Sequence, residues 1–253
     1  MRRNYIGVTG FAIPAEVQRA ISIFEGSLGW KLDSHDLMVG VLVNGHTLSG
    51  ERSSKFEVRY PKIRELSKIL NPHRRVLNLV HYSTHEKDTL GTQLMDVMRL
   101  TGNYLDGFQL NVAWPEPVSL NITRGMRMVL QLGSGAIKAM DANPEAIAER
   151  LDQYDGLITD VLIDRSGGRR QPFDIHETIA LFEAIRARHP ELALGVAGGL
   201  CKNKVPNLSL LRDKFGSNFS ADAEGEMRNE WDRLKWDDMT DYLQSCLNFF
   251  RYV

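Results

Sequence analysis

The sequence predicts a single closed barrel of parallel strands alternating with helices, the (β/α)8 or TIM-barrel class of α/β proteins. Short apolar runs alternate with helix-like segments eight times along the 253 residues, a usual length for such a barrel. Several runs are apolar throughout, as expected for parallel strands that are buried on both faces. We therefore expect residues 1–253 to form one barrel domain.

The predicted elements follow one another along the whole chain. Strands are expected at residues 5–11, 37–43, 76–80, 108–112, 128–132, 161–163, 192–196 and 218–221. Helices are expected from Pro14, at 62–70, at 90–100, from Asn143, after an Asp174 cap, at 208–215 and at 236–250. The alternative is a doubly wound open sheet, which would be expected to carry a glycine-rich dinucleotide turn after the first strand. The run there is GVTGFA, which lacks that turn.

The amino-acid composition and the sequence motifs argue against several classes of binding partner. The formal net charge is -1, so no overall basic surface predicts binding to nucleic acid or to an anionic membrane. Cys201 and Cys246 lie far apart and form no metal-type pair, which suits free thiols in the cytoplasm. No run approaches the roughly 20 apolar residues of a membrane span. We find no phosphate-loop, dinucleotide or metal motif and expect neither cofactor nor metal.

Polar and glycine residues follow several predicted strands, and a parallel barrel brings these strand ends together at one mouth. Asp164 ends the sixth apolar run and precedes Gly167 and Gly168, which open a flexible turn. Gly198 and Gly199 follow the seventh strand, where adjacent glycines let backbone amides turn toward an anion such as phosphate. Also expected at the mouth are Thr9, His81, Gln109, Asn111 and the segment SADAEG at 220–225.

Three of these strand ends resemble motifs of the phosphoribosylanthranilate isomerase family. The run DRSGGRRQPFDI at 164–175 is similar to the family's sixth-strand signature, an aspartate, a Gly-Gly loop and a Phe-Asp pair. The run AGGLCKNKV at 197–205 is similar to its seventh-strand motif. The run FQLN at 108–111 resembles its Val-Gln-Leu-His run, with asparagine in place of histidine.

The resemblance implies an Amadori-type isomerase of tryptophan biosynthesis, which converts an N-linked aminoribose phosphate to an aminodeoxyribulose phosphate. Asp164 matches the family's general acid. We expect the substrate phosphate to bind near Gly167, Gly168, Gly198, Gly199 and Gly225. A phosphorylated small molecule is therefore the expected partner, and a homodimer is among the assemblies that the sequence leaves open.

The first strand departs from the family pattern. The family's general base is a cysteine in a Lys-Ile-Cys-Gly run, whereas this chain has Thr9 at that position. A threonine hydroxyl does not ionise near neutral pH, whereas a thiol, with an ordinary pKa of about 8.5, can be brought into range. Isomerisation would need another proton acceptor. The alternatives at the mouth are His81, Cys201, Asp222 and Glu224.

The eighth strand departs as well. Gly225 keeps the family's turn, but Asp222 and Glu224 bring negative charge toward the expected phosphate position. Arg169 in the sixth loop is either a grip for phosphate or carboxylate, or a solvated surface charge. Arg59 in the run VRYP resembles the arginine that the family uses for the anthranilate carboxylate. His81, Gln109 and Asn111 complete the expected substrate-binding set.

Three functions remain open at the level of the sequence. The first is a divergent isomerase that acts on a phosphorylated sugar derivative, with Asp164 and the Thr9 position at its catalytic centre. The second is a barrel that binds an anion or a protein partner without catalysis. The third is another sugar-phosphate reaction at the same mouth, such as that of an aldolase or epimerase. Against a Schiff-base aldolase, Lys138 and Lys202 lie beyond the strand ends.

Overall fold

The computed structural model describes residues 2–26, 32–51, 57–165 and 174–251. The described strands form a closed parallel barrel in sequence order, in which β8 returns to pair with β1. They are β1 (Asn4–Thr9), β2 (His35–Asn44), β3 (Val76–Ser83), β4 (Gly107–Leu110), β5 (Arg127–Gly133), β6 (Asp160–Asp164), β7 (Ala193–Val196) and β8 (Ser220–Ala223). The (β/α)8 barrel predicted from the sequence is confirmed.

Helices cover the outside of the barrel. They are α1 (Pro14–Gly26), α2 (Gly45–Ser49), α3 (Leu66–Ile69), α4 (Leu90–Thr101), α5 (Ser134–Lys138), α6 (Pro144–Leu151), α7 (Ile175–Arg188), α8 (Ser209–Phe215) and α9 (Trp236–Arg251). Asp174 caps α7 as predicted, since its carboxylate accepts hydrogen bonds from the backbone N–H groups of His176 and Glu177 at 3.0 and 3.1 Å. No helix in these ranges is both long and apolar enough to span a membrane.

Some element bounds differ from the prediction. β1 ends at Thr9, because Gly10 turns the chain with a φ of +98°. β8 begins and ends two residues later than expected, which places Asp222 within the strand and not in the loop after it. The helix expected at 62–70 is a 3₁₀ turn (Ile63–Glu65) followed by the single turn of α3.

The inside of the barrel is filled in layers. Tyr5, Met38, Leu79, Val129 and Leu162 form a buried apolar cluster. Each fully buried apolar side chain of this size contributes about 1.5–3 kcal/mol to folding. At the amino-terminal ends of β5 and β6, Arg127 and Asp160 form a buried ion pair with 8% and 3% of the side chains exposed. The carboxyl ends of the strands carry a different set of polar groups.

Candidate active site

The carboxyl ends of the strands enclose a small cavity of about 40 Å³. A space of this size admits a small polar group or very few water molecules. It is lined by Arg59, His81, Gln109, Gln131, Asp164, Ala197, Gly198, Gly199, Asp222, Glu224, Gly225 and Glu226, which we call the mouth cavity. Seven residues predicted for the site lie here, namely Arg59, His81, Gln109, Asp164, Gly198, Gly199 and Gly225.

Asp222 stands at one end of a hydrogen-bonded chain in this cavity. The Thr9 hydroxyl lies 3.1 and 3.0 Å from the two carboxylate oxygens of Asp222 and donates to them. Gln109 Nε2 donates to Asp222 Oδ2 at 3.1 Å from across the barrel. Asp222 therefore lies beside the position where the family pattern has its cysteine.

The chain continues to Asp164 through two amides. Gln109 Nε2 also donates to Gln131 Oε1 at 3.2 Å. Gln131 Nε2 in turn donates to Asp164 Oδ2 at 2.8 Å. The carboxyl groups of β6 and β8 are thus joined across the mouth by one amide from β4 and one from β5.

Burial dominates the electrostatics of Asp222. It raises the pKa of this carboxyl group to about 7, although the hydrogen bonds from Gln109 and Thr9 act in the opposite direction. The charges of Glu224 and Asp164 raise the pKa further. A group with a pKa near 7 can both accept and donate a proton under neutral conditions.

Two buried polar atoms of the mouth lack a partner among the described residues. Gln109 Oε1 has no hydrogen bond although the residue is only 1% exposed. His81 Nδ1 is likewise unpartnered in a residue that is 6% exposed. Burial lowers the pKa of His81, against the opposing charges of Glu224 and Asp164, so the imidazole is neutral near pH 7. Since buried polar atoms are rarely left unpaired, both atoms are available to hydrogen-bond with a ligand or with water.

The rim beside β7 and β8 combines open backbone with acidic side chains. Gly198 and Gly199 have φ values of +106° and +63°, a left-handed conformation that favours glycine. Glu224 and Glu226 line the cavity next to them, and Lys204 Nζ lies 3.1 Å from Glu226 Oε1. The loop therefore has the expected backbone, but its side chains place carboxylates at the expected phosphate position.

Arg59 is held by two carboxylates of the β8 loop. Its Nη1 lies 2.5 Å from Glu224 Oε1. Its Nε donates to Asp232 Oδ2 at 2.8 Å, and its Nη2 contacts the other oxygen of Asp232. The Arg59 side chain is 15% exposed. The arginine expected to bind a substrate carboxylate is thus engaged by carboxylates of its own chain.

Arg228 joins the loop after β8 to the end of β1. Its Nη2 donates to the carbonyl oxygens of Thr9 and Gly10 at 3.1 and 2.6 Å. A Cβ at Gly10 would lie 1.9 Å from that nitrogen, so only glycine permits the approach. This contact holds the backbone that carries the Thr9 hydroxyl.

Asn111 lies in a different space from the other predicted residues. It lines a cleft of about 1110 Å³ formed by the loops after β2, β3, β4 and β5. Gln131 lines both the cleft and the mouth cavity, so the two adjoin there. Cys201 is not among the described residues that line either space. Gly167, Gly168 and Arg169 lie outside the described residues.

Sequence reasoning missed Gln131 and Asp232. Gln131 had a signal, because it is the only polar residue in the apolar run of residues 128–132. Asp232 had none, since its contact with Arg59 joins positions 173 residues apart. Within the part of the chain that the structure describes, no three His, Cys, Asp or Glu side chains form a group that could hold a metal ion.

The solved structures to which this chain is similar include phosphoribosylanthranilate isomerases. The enzyme from Thermotoga maritima is 16% identical, with a TM-score of 0.63, over 97% of this chain and 98% of that one. The enzyme from Thermus thermophilus is 14% identical, with a TM-score of 0.59, over 96% and 98%.

A further phosphoribosylanthranilate isomerase structure holds reduced 1-(o-carboxyphenylamino)-1-deoxyribulose 5-phosphate. It is 16% identical, with a TM-score of 0.61, over 97% of this chain and 98% of that one. No protein-family model and no curated protein matches the sequence. The chain therefore has the fold of the phosphoribosylanthranilate isomerases over nearly its whole length, at low sequence identity.

Proposed function

We propose that this protein is an aldose–ketose isomerase that converts an N-linked aldosylamine to an amino ketose, an Amadori-type reaction. The observation that carries the proposal is the pair of mouth carboxyl groups, Asp222 and Asp164, joined by Gln109 and Gln131. Their position at the carboxyl ends of the strands is where parallel barrels carry out their chemistry. The fold shared with isomerases of this reaction class supports the proposal.

Two carboxyl groups suffice to move every proton in this reaction. Asp164, as general acid, protonates the ring oxygen, and the ring opens to a protonated imine. Asp222 then removes the proton from the second carbon, which leaves an enaminol. Asp222, whose proton exchanges with solvent at this stage, gives a proton to the first carbon, and the hydroxyl on the second carbon gives its proton to Asp164 as the ketone forms. Both carboxyl groups recover their starting states, so no co-reactant is needed.

Asp222 is suited to replace the missing thiol. Its pKa of about 7 matches a proton carrier at neutral pH, which is the condition for efficient general acid–base catalysis. Thr9 then has a positioning role, because its hydroxyl donates to Asp222 and fixes the orientation of the carboxylate. In this assignment the base moves from β1 to the adjacent β8.

Some features of the rim favour a phosphate group on the substrate and others oppose it. The left-handed glycines Gly198 and Gly199, the turn at Gly225 and the sequence resemblance favour it. The carboxylates of Glu224 and Glu226 on the same rim oppose it, because they would repel a phosphate dianion. We therefore define the substrate by its aldosylamine chemistry.

A barrel that only binds its ligand is the second candidate function. The small mouth cavity and the pairing of Arg59 with Glu224 favour it, since both restrict access to Asp164 and Asp222. Under this alternative a sugar derivative would bind and dissociate without any exchange of carbon-bound hydrogen.

The test is isomerisation of a panel of aldosylamines, with and without phosphate, in deuterium oxide. We expect formation of the amino ketose with deuterium on its first carbon, and loss of both product and label in Asp164→Asn and Asp222→Asn. The matched control is Asp213→Asn, an exposed acid on α8. Binding without product or label in the wild-type protein would support the binding barrel instead.

A further inference from the structure

Acidic side chains outnumber basic ones among the described residues that line the mouth cavity. Asp164, Asp222, Glu224 and Glu226 line it, against the single guanidinium of Arg59. In the proposed mechanism Asp164 begins as the acid and Asp222 titrates near neutral pH, so the lasting negative charge of the lining comes from Glu224 and Glu226. His81 adds no charge near neutral pH, because burial lowers the pKa of its imidazole. A ligand that brings further negative charge would meet repulsion here.

The nearby cations are already engaged. Arg59 binds Glu224 and Asp232, and Lys204 binds Glu226. Arg228, at 7% exposure, directs Nη2 to the carbonyl oxygens of Thr9 and Gly10, and its Nε has no partner among the described residues. A phosphate or carboxylate would therefore have to displace a carboxylate of this chain before it could pair with Arg59 or Lys204.

A second observation points to the kind of ligand. Gln109 Oε1 is a buried acceptor without a donor, and the hydrogens of its amide nitrogen are directed to Asp222 and Gln131. Carboxylate oxygens are acceptors too. The cavity thus presents mainly acceptors, so it calls for a ligand rich in N–H and O–H donors.

We infer that the mouth cavity takes the protonated amine and adjoining hydroxyl of an alkylamino sugar, in place of an aryl carboxylate or a phosphate. This inference rests on the proposed function and specifies its substrate class. The nitrogen of an amino ketose carries a proton at neutral pH when its substituent is alkyl, whereas an aryl substituent leaves it neutral. Glu224 is then a specificity-determining residue, because it supplies negative charge and also occupies Arg59.

The volume of the mouth agrees with this assignment. A cavity of about 40 Å³ holds an ammonium group and its carbon but not a whole sugar. The adjoining cleft of about 1110 Å³ meets the cavity at Gln131 and has room for the remainder of the molecule. Its lining includes Asn111, Ser83 and Ser134, which can hydrogen-bond to the hydroxyl groups of a sugar.

The experiment is calorimetric binding of three synthetic probes at low salt and pH 7. The first is a ketopentose with a propylamino group on its first carbon, the second is the matched propyl ether, and the third is ribulose phosphate. We expect the amine to bind about tenfold or more tighter than the ether, as one charge-assisted contact provides. The phosphate should bind more weakly than either.

Glu224→Gln should remove most of the preference for the amine, whereas Glu145→Gln, an exposed acid on α6, should keep it. Tight binding of ribulose phosphate with no preference for the amine would overturn the inference, and turnover of a phosphorylated aldosylamine would still leave the isomerase proposal standing. Preference for the amine without turnover of the corresponding aldosylamine would retain the site assignment and reject the isomerase.

Discussion

The two ends of the barrel treat buried carboxylates in opposite ways. At the amino-terminal end, Arg127 Nε lies 3.2 and 3.1 Å from the two oxygens of Asp160, and Thr159 donates to the same carboxylate at 2.6 Å. Each charge there has a counter-charge. At the mouth, Asp222 receives hydrogen bonds from the neutral groups of Thr9 and Gln109, and burial raises its pKa to about 7.

The buried carboxyl groups at the two ends of the barrel therefore have different roles, one in stability and the other in proton transfer. A carboxylate paired with a guanidinium holds its charge, and removal of one partner from such a buried pair is costly for folding. A buried carboxylate that has neutral partners is poised to change its protonation state, which is costly for folding and useful for proton transfer. The following predictions test that division, beginning with the largest expected effect.

The largest effect is expected on turnover when the mouth carboxyl groups are neutralised. Asp222→Asn should lower the rate of isomerisation by roughly 10³-fold, the range of general acid–base catalysis, because the amide cannot accept the carbon-bound proton. Asp164→Asn should act similarly. Ligand binding measured by calorimetry should persist in both variants, and turnover within about threefold of wild type would contradict the assignment.

At the amino-terminal end of the barrel, breaking the ion pair should lower stability without changing the titration of Asp222 at the mouth. Asp160→Asn leaves Arg127 buried without its counter-charge, so the free energy of unfolding should fall by about 3–5 kcal/mol in urea denaturation. The double variant Asp160→Leu with Arg127→Met removes both charges and should recover part of this loss. A change in the titration of Asp222 in a variant that still folds would show that the two ends are not independent.

The pH dependence of stability should report Asp222. Because the folded-state pKa is raised from 3.8 to about 7, the folded protein binds more protons than the unfolded chain between these values. The contribution of Asp222 is therefore most favourable below about pH 4 and is lost as the pH rises through 7. Between pH 5 and 8, Asp222→Asn should lose less stability than wild type, by about 2–3 kcal/mol. Parallel urea curves at the two pH values measure the difference, and equal losses would argue against a raised pKa.

A smaller shift is expected from the groups that orient Asp222. In the wild type, the hydrogen bonds from Thr9 and Gln109 lower the pKa of Asp222. Thr9→Val and Gln109→Met each remove one of these hydrogen bonds. The lower-pH midpoint of the pH–rate profile should move upward by about 0.5–1 unit in each variant. Thr9→Ser keeps the hydroxyl and serves as control. An unchanged midpoint in Thr9→Val would remove Thr9 from its positioning role.

The sequence was sufficient for the barrel and for most residues of the mouth. Apolar runs define the strands, and parallel strands bring Asp164, Gln109 and His81 to one end whatever the details of packing. Asp222 was assigned less well, since the predicted eighth strand ended at residue 221 and left this carboxyl group in a loop. In the structure Asp222 pairs with Gly7 in register within β8, and so it faces Gln109.

Other features of the site depend on distant contacts that local patterns do not encode. Arg59 was expected to be available to a substrate, but Glu224 and Asp232 approach it from a loop more than 160 residues away. Tertiary packing decides which groups bind Arg59, and the local run VRYP does not encode it. The raised pKa of Asp222 has the same origin, because burial is a property of the assembled mouth.

The proposal depends most on Asp222 titrating near neutral pH in the folded protein, so that its carboxyl group can both take up and release a proton. Titration of its carboxyl carbon by NMR, assigned by comparison with Asp222→Asn, tests this directly. The account predicts a midpoint of about 7. A midpoint near the ordinary aspartate value of about 4 would mean that Asp222 stays ionised, and would contradict its assignment as the proton carrier that replaces the thiol.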